Sequence, residues 1–288
     1  MRKILVTGCN GQLGRAINRI YENDVKSGEV SILNTDVSNL DITSISDVMA
    51  MVESEKPDVI INCAAHTNVN KCETDWDNAY KINAIGPRNL AIAATKYNAK
   101  IVHVSTDYVF DGEANRPYTE FDTTAPCGAY GKTKLAGEEF VKQFSSRYFI
   151  VRTAWLYGDG NNFVKTMLRL GRENGEVNVV GDQYGTPTSA MELARMIYAI
   201  ENTDNYGVFH GTCEGSCSWA DFAVKIFKEA DLDVKVNYIT TAEFPTPAKR
   251  PAYSVLENYM LKLTTGYMMA DWEAALHEYM QSDIIKDN

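Results

Sequence analysis

The sequence has no uninterrupted apolar stretch near the roughly 18 residues that a membrane-crossing helix requires. Its longest candidate, Val59 to Ala65, is already broken by Asn62. The chain opens Met-Arg-Lys and passes straight into Ile4-Leu5-Val6-Thr7-Gly8, without the apolar segment and cleavage pattern of a signal peptide. No membrane partner and a cytoplasmic location are expected from these absences. Basic residues are also short, 28 Lys and Arg against 38 Asp and Glu, for a net charge of −10. That balance argues against nucleic acid as a partner, because a phosphate backbone is held by clustered cations. A small anionic ligand stays admissible if local donors meet it.

Histidine is scarce, four in all, and the six cysteines (Cys9, Cys63, Cys72, Cys127, Cys213 and Cys217) are scattered. Such spacing in a chain of 288 residues gives neither a disulfide framework nor a metal site. Cys213 and Cys217 stand four apart, yet no second cysteine or histidine pair accompanies them. Free thiols and no metal are expected.

What is present is 45% hydrophobic residues arranged in two periods. Lys3 to Thr7, Val59 to Ala64, Ile101 to Ser105 and Tyr148 to Thr153 read as buried strands rich in Val and Ile. Between them, Gln12 to Tyr21, Ile45 to Glu55, Asp77 to Tyr97 and a segment beginning near Tyr130 carry apolar residues at helical spacing. Strand and helix in alternation imply an α/β protein with a Rossmann-type, doubly wound parallel sheet. Beyond Ala154 the texture changes. Helical patterns at Phe163 to Arg172, Met191 to Ile200, Trp219 to Ala230 and Trp272 to Met280 and a strand pattern at Val234 to Ile239 are separated by Gly- and Pro-bearing loops. We read residues 1–153 as a dinucleotide-binding domain and 154–288 as mainly a smaller substrate-binding lobe, with some helices after 185 able to pack back on the first.

Directly after the first strand comes Gly8-Cys9-Asn10-Gly11-Gln12-Leu13-Gly14, followed by a helix. Glycines three apart let the backbone approach a pyrophosphate, and the helix N-terminus offers unpaired N–H groups and a positive dipole end. An acid that binds ribose is expected about 20 residues on, at the end of the second strand. Asp36, behind Ser31-Ile32-Leu33-Asn34-Thr35, meets that requirement. A carboxylate there favours a free 2′-hydroxyl over a 2′-phosphate, which tilts NADH or NADPH toward NADH, although Arg15 is close enough in sequence to help a phosphate. Asp41 and Ile42 belong either to the adenine pocket or to an ordinary turn.

Ser105-Thr106-Asp107 closes the third buried strand, and Tyr130-Gly131-Lys132-Thr133-Lys134 opens a helix. Tyr130 and Lys134, four apart, share a helix face and can act on one substrate atom. A tyrosine near pKa 10 is a poor acid at neutral pH, but an adjacent ammonium stabilises its phenolate. Thr106, bonded to the same carbonyl oxygen, would polarise it. Together these residues predict a nicotinamide-dependent carbonyl reductase with Tyr130 as proton donor.

A phosphate loop, Ser-Thr at a strand end and Y-x-x-x-K, in that order, resemble the extended short-chain dehydrogenases/reductases. Within them the chain resembles the dTDP-4-dehydrorhamnose reductase family over nearly its whole length. The likeness is carried by Val6 to Gly14, Asn62 to Thr67, Ser105 to Gly112, Tyr130 to Glu138, Arg152 to Tyr157, Asn161 to Phe163, Asp182 to Thr188 and Arg250 to Ser254. It implies reduction of the C4 keto group of dTDP-4-dehydro-β-L-rhamnose. It further implies cofactor contacts from Asn10 to Leu13, Asp36, Asp41, Ile42, Ala64, Ala65, His66, Thr67, Val104, Tyr130 and Lys134. For the sugar nucleotide it implies Thr106, Asp107 and Trp155. Some members of this family form a metal-linked dimer through a glutamate directly after the last glycine; Arg15 stands there, which disfavours that metal and that dimer while leaving a homodimer open. Trp155 has a flat face suited to a sugar, a base or the core. Arg152, Lys249 and Arg250 are either donors for a diphosphate or charges that serve the fold. Two other functions fit the resemblance: a sugar-nucleotide dehydratase or epimerase, and a non-catalytic subunit akin to methionine adenosyltransferase β. Dehydratases carry Thr-Asp-Glu where this chain has Thr106-Asp107-Tyr108, so elimination lacks its second carboxylate.

Overall fold

The computed structural model describes residues 1–286. Its centre is a six-stranded sheet of β1 (Arg2–Thr7), β2 (Val30–Thr35), β3 (Val59–Asn62), β4 (Lys100–Thr106), β5 (Tyr148–Thr153) and β6 (Gly207–His210), in the order β6-β5-β4-β3-β1-β2. Every neighbouring pair is parallel. Parallel strands need crossovers, and the helices supplying them cover both faces.

Side-chain alternation distributes the strands between two cores. Ile4, Val6, Val59, Ile61, Val102, Phe149 and Val151 point to one face, where the helices Gln12–Ile20 and Ala190–Glu201 pack through Leu13, Ile17, Leu193 and Ile197. Leu5, Ile60, Ile101 and Ile150 point to the other, against Ile45–Glu55, Gly86–Lys96 and Ala129–Phe144 through Val48, Val52, Leu90 and Val141. The order of chain connections reverses at β1 and β3, so their C-terminal ends open a crevice, the usual ligand position in such sheets.

A third core, built from Val164, Leu168, Phe222, Phe227, Trp272 and Leu276, lies in the later part of the chain, beneath the helices Phe163–Asn174, Trp219–Glu229 and Trp272–Gln281. A two-stranded parallel ribbon, Glu176–Val180 with Lys235–Ile239, belongs to the same region. The later chain is thus divided: Ala190–Glu201, β6 and the helix Tyr259–Thr265, through Leu261, pack with the main sheet, Leu256 joins Val109, Phe110 and Tyr118, and Val164, Phe222, Trp272 and their neighbours form the third core.

The helix expected over Asp77 to Tyr97 is three segments, Trp76–Tyr80, a π-helical turn Lys81–Ile85, and Gly86–Lys96. The wide turn places Asn83 inward. Its amide exchanges two bonds with the His66 backbone, accepting from the N–H at 2.8 Å and donating to the carbonyl at 3.1 Å, and donates to the Thr133 hydroxyl at 3.1 Å. Asn83 therefore ties the loop after β3 to the helix that carries Tyr130, a local departure of the kind that π-bulges make at functional sites. All six cysteines are free thiols. Among the described residues, no helix is long and apolar enough to cross a membrane.

Candidate active site

The crevice is a cavity of about 720 Å³, running from the glycine loop to Trp155 and Leu156. At one end, Gly8 sits at φ +65°, and a Cβ there would lie 2.8 Å from the Ala64 backbone. A Cβ on Gly14 would lie 2.4 Å from the Gly8 carbonyl oxygen. The first helix reaches the loop only because both are glycine, and the result is an open backbone cradle at a helix N-terminus, suited to a diphosphate. Asp36, at the end of β2, also lines the cavity, its Oδ2 accepting from the Asn10 N–H at 3.2 Å. The neighbouring Asp41 accepts from the Thr43 N–H and hydroxyl at 2.9 and 2.8 Å, and so makes its turn while still facing the cavity beside Ile42. This set fits a dinucleotide.

At the inner end, Val104, Ser105, Thr106 and Asp107 leave the tip of β4, and the helix Ala129–Phe144 brings Tyr130 and Lys134 alongside. That approach is close: a Cβ on Gly131 would lie 2.1 Å from the Tyr108 carbonyl oxygen. Lys134 is 2% exposed and donates to the Val104 carbonyl at 2.6 Å. Burial pulls its ammonium down to about 8, with Glu138 as the main influence holding it up. Tyr130 is raised above the ordinary phenol range, chiefly by desolvation, while a hydrogen bond with the Thr106 hydroxyl opposes the rise. Lys134 is not among the main influences on the phenol, as its ammonium is turned to the Val104 carbonyl.

Thr106 donates to Asp107 Oδ1 at 2.8 Å and accepts from the Tyr108 N–H at 3.3 Å. Asp107 is buried, and desolvation lifts its carboxyl to about 6. Tyr108 meets Tyr130 edge-on, ring centres 5.5 Å apart, and its hydroxyl accepts from Arg250 at 2.9 Å.

At the outer end Trp155 lies flat on Trp219, centres 3.5 Å apart and planes 9° from parallel. Its backbone has φ +47°, unusual for a bulky side chain. A Cβ on Gly185 would lie 2.5 Å from the indole. The ring is therefore clamped between two partners, on a backbone conformation that costs strain.

Of the residues singled out from sequence, Gly8, Gly11, Gln12, Leu13, Gly14, Asp36, Asp41, Ile42, Ala64, Ala65, Thr67, Val104, Thr106, Asp107, Tyr130, Lys134 and Trp155 line one cavity. Asn10, His66 and Arg250 do not stand on its wall. The Asn10 carbonyl is held by Arg15, and the His66 ring lies beside Cys72, Nδ1 to Sγ 3.3 Å. Arg250 is engaged by Tyr108 and Asn70. Arg152 is buried in an ion pair with Glu138 and serves the fold rather than a diphosphate, while Lys249 pairs with Glu113 on the surface. Arg15 faces Asp159 at 3.2 Å. Sequence reasoning missed Trp219, Gly185, Val69 and Ile82, which come from distant positions without a shared spacing, and the pairing of Arg152 with Glu138, whose meeting across two elements no local spacing shows. Tyr108 was noted only for the carboxylate it lacks.

Known proteins place this architecture. A dTDP-4-dehydrorhamnose reductase of Aggregatibacter actinomycetemcomitans is 42% identical, over 96% of this chain and 97% of its own. The crystal structure of a dTDP-4-dehydrorhamnose reductase from Clostridium acetobutylicum superposes with a TM-score of 0.94 at 59% identity, covering 96% of this chain and 98% of that one. That of Bacillus anthracis, solved in complex with NADP, gives 0.93 at 46% identity, over 97% and 99%. The family model described as the RmlD substrate binding domain matches residues 1–284, and the chain belongs to the dTDP-4-dehydrorhamnose reductase family.

Proposed function

We propose that this protein reduces the C4 keto group of dTDP-4-dehydro-β-L-rhamnose to give dTDP-L-rhamnose, with Tyr130 as proton donor. The observation that carries the reading is the convergence of Thr106, Tyr130 and Lys134 on the wall of one cavity that also holds a glycine cradle. A bound nicotinamide dinucleotide supplies the hydride. Gly8 to Gly14 would hold its diphosphate, Asp36 its ribose hydroxyl, and Asp41 with Ile42 its adenine. The division of labour we propose gives residues 1–153 to the cofactor and most of 154–288 to the sugar nucleotide, held at Trp155 and Asp107.

Tyr130 keeps its proton at neutral pH because desolvation raises it, which is the state a donor needs. As negative charge develops on the sugar oxygen, Tyr130 passes its proton there. Lys134, with an ammonium at about 8, is mostly charged at neutral pH and offsets the phenolate left behind. Thr106 exchanges its Asp107 partner for the keto oxygen and orients it. Tyr108, on the cavity wall and bonded to Arg250 behind it, occupies the position where elimination would require a carboxylate. Asp36 favours NADH over NADPH, and Arg15, already committed to Asp159 and the Asn10 carbonyl, offers a 2′-phosphate little.

Oxidation of reduced cofactor on adding dTDP-4-dehydrorhamnose, run with NADH and NADPH side by side, tests both statements. Absence of oxidation with either cofactor overturns the reductase reading and favours a binding subunit. A higher kcat/KM with NADPH overturns the preference alone.

A further inference from the structure

One buried ion pair behind the site has a placement that packing alone does not require. Glu138 follows Lys134 by one helical turn and Tyr130 by two, so the three share a face. Its side chain is completely buried. A carboxylate in that position needs several donors, and it has them: the Ser105 hydroxyl at 2.6 Å, and Arg152 through Nε at 3.0 Å and Nη2 at 2.7 Å. Arg152 is itself 3% exposed, lies over the Phe110 ring and stands opposite Ser105 in the β4–β5 register. Ser105 sits between Val104, whose carbonyl receives Lys134, and Thr106. Ser105 therefore adjoins Thr106 in the chain, and Arg152 stands across the ladder from Ser105.

We propose that Glu138 is a positioning residue for the Tyr130–Lys134 pair. Its carboxylate, gripped by Ser105 and Arg152, locks the helix carrying the pair against the strand ends carrying Thr106 and the Val104 carbonyl, and it provides the counter-charge to Lys134. The inference rests on the function proposed above. The titratable groups around Lys134 are few: on its own helix the Tyr130 phenol stands one turn before it and Glu138, one turn after, favours the ammonium, the Cys63 thiol after β3 is pushed up to about 12 by burial, and His103 on β4 is held well below its usual range by burial and by Lys134. Glu138 is thus the one carboxylate among them, and within 4 Å it pairs with Arg152 and, at the helix surface, with Lys142 at 3.9 Å.

Glu138→Gln keeps the shape and the acceptor for Ser105 but removes the charge. We expect kcat to fall at least about tenfold with KM for the sugar nucleotide within about threefold, and the alkaline limb of the kcat profile to move down by about one pH unit. The same displacement is expected without cofactor or turnover, in the titration of the Lys134 ¹³Cε resonance, assigned by its loss in Lys134→Met. A folded Glu138→Gln protein with unchanged kcat and an unchanged Lys134 midpoint overturns the proposal. Should the lone Arg152 charge prevent folding, the double variant Glu138→Met/Arg152→Met removes both charges without leaving either unpaired. The midpoint must fall there too, and an unmoved one overturns the proposal equally. If the unaltered protein fails to oxidise cofactor, the function is overturned, while the titration still decides the role of Glu138.

Discussion

A proton donor must keep its proton until charge appears beside it. Tyr130 satisfies this through desolvation, and its loss should be felt in the chemical step alone. Tyr130→Phe is expected to lower kcat by roughly 10²–10⁴-fold with little change in thermal midpoint, measured by cofactor oxidation and calorimetry. Asp107 is held against the stability of the fold. Its carboxyl is raised from 3.8 to about 6 by burial, so the folded chain binds that proton more tightly than the unfolded chain. Stability from this proton is full below the unfolded value and is lost as pH rises through about 6. We expect Asp107→Asn to gain about 1–2 kcal/mol near pH 7, a gain that vanishes near pH 4, in urea unfolding at the two pH values, while turnover falls. Tyr130, Lys134 and Thr106 were legible from sequence because a four-residue helical spacing and a strand end are local facts. Glu138 lay inside a recognised stretch and still gave no signal, since its meaning depends on Ser105 and Arg152 meeting it from two other elements.

Elements carry the geometry between such residues, and glycines fix how closely they approach. Gly14→Ala places a methyl group 2.4 Å from the Gly8 oxygen. The first helix must back away, at an expected cost of about 1–3 kcal/mol and at least tenfold weaker cofactor binding, read by fluorescence titration. Gly185→Ala pushes instead on the Trp155 indole, 2.5 Å away. There we expect KM for the sugar nucleotide to rise about tenfold with cofactor affinity unchanged, the separation that a sugar-side role for Trp155 demands. Strands β1, β3, β4 and β5 could be read from sequence because each is an apolar run with turn residues after it. β6 was not, being four residues, Gly-Val-Phe-His, whose burial comes from β5 beside it. The Lys81–Ile85 π turn was equally silent, because its apolar spacing continues that of the helices on either side.

Taken whole, the molecule offers a two-colour test of the proposed division of labour. Hydrogen exchange with reduced cofactor added should slow amides in Gly8–Gly14 and Asp36–Ile42. With dTDP added alone, protection should fall instead on segments after 154, around Trp155 and Tyr184–Gly185. Protection of the same segments by both ligands would overturn the division. The parallel sheet itself was legible from the alternation of strand and helix, but its edge was not, and that edge has a bearing on how the chain is made. β5 gains its outer neighbour only when Gly207–His210 arrives, and the face formed by Ile4, Val6, Val102 and Val151 gains its second helix only with Ala190–Glu201. A nascent chain that has left the ribosome as far as Thr153 therefore carries a half-covered apolar face until Ala190–Glu201 follows and an open strand edge until Gly207–His210 follows. Over that interval of synthesis, holding by a chaperone or pausing of translation would decide how much of the product escapes aggregation.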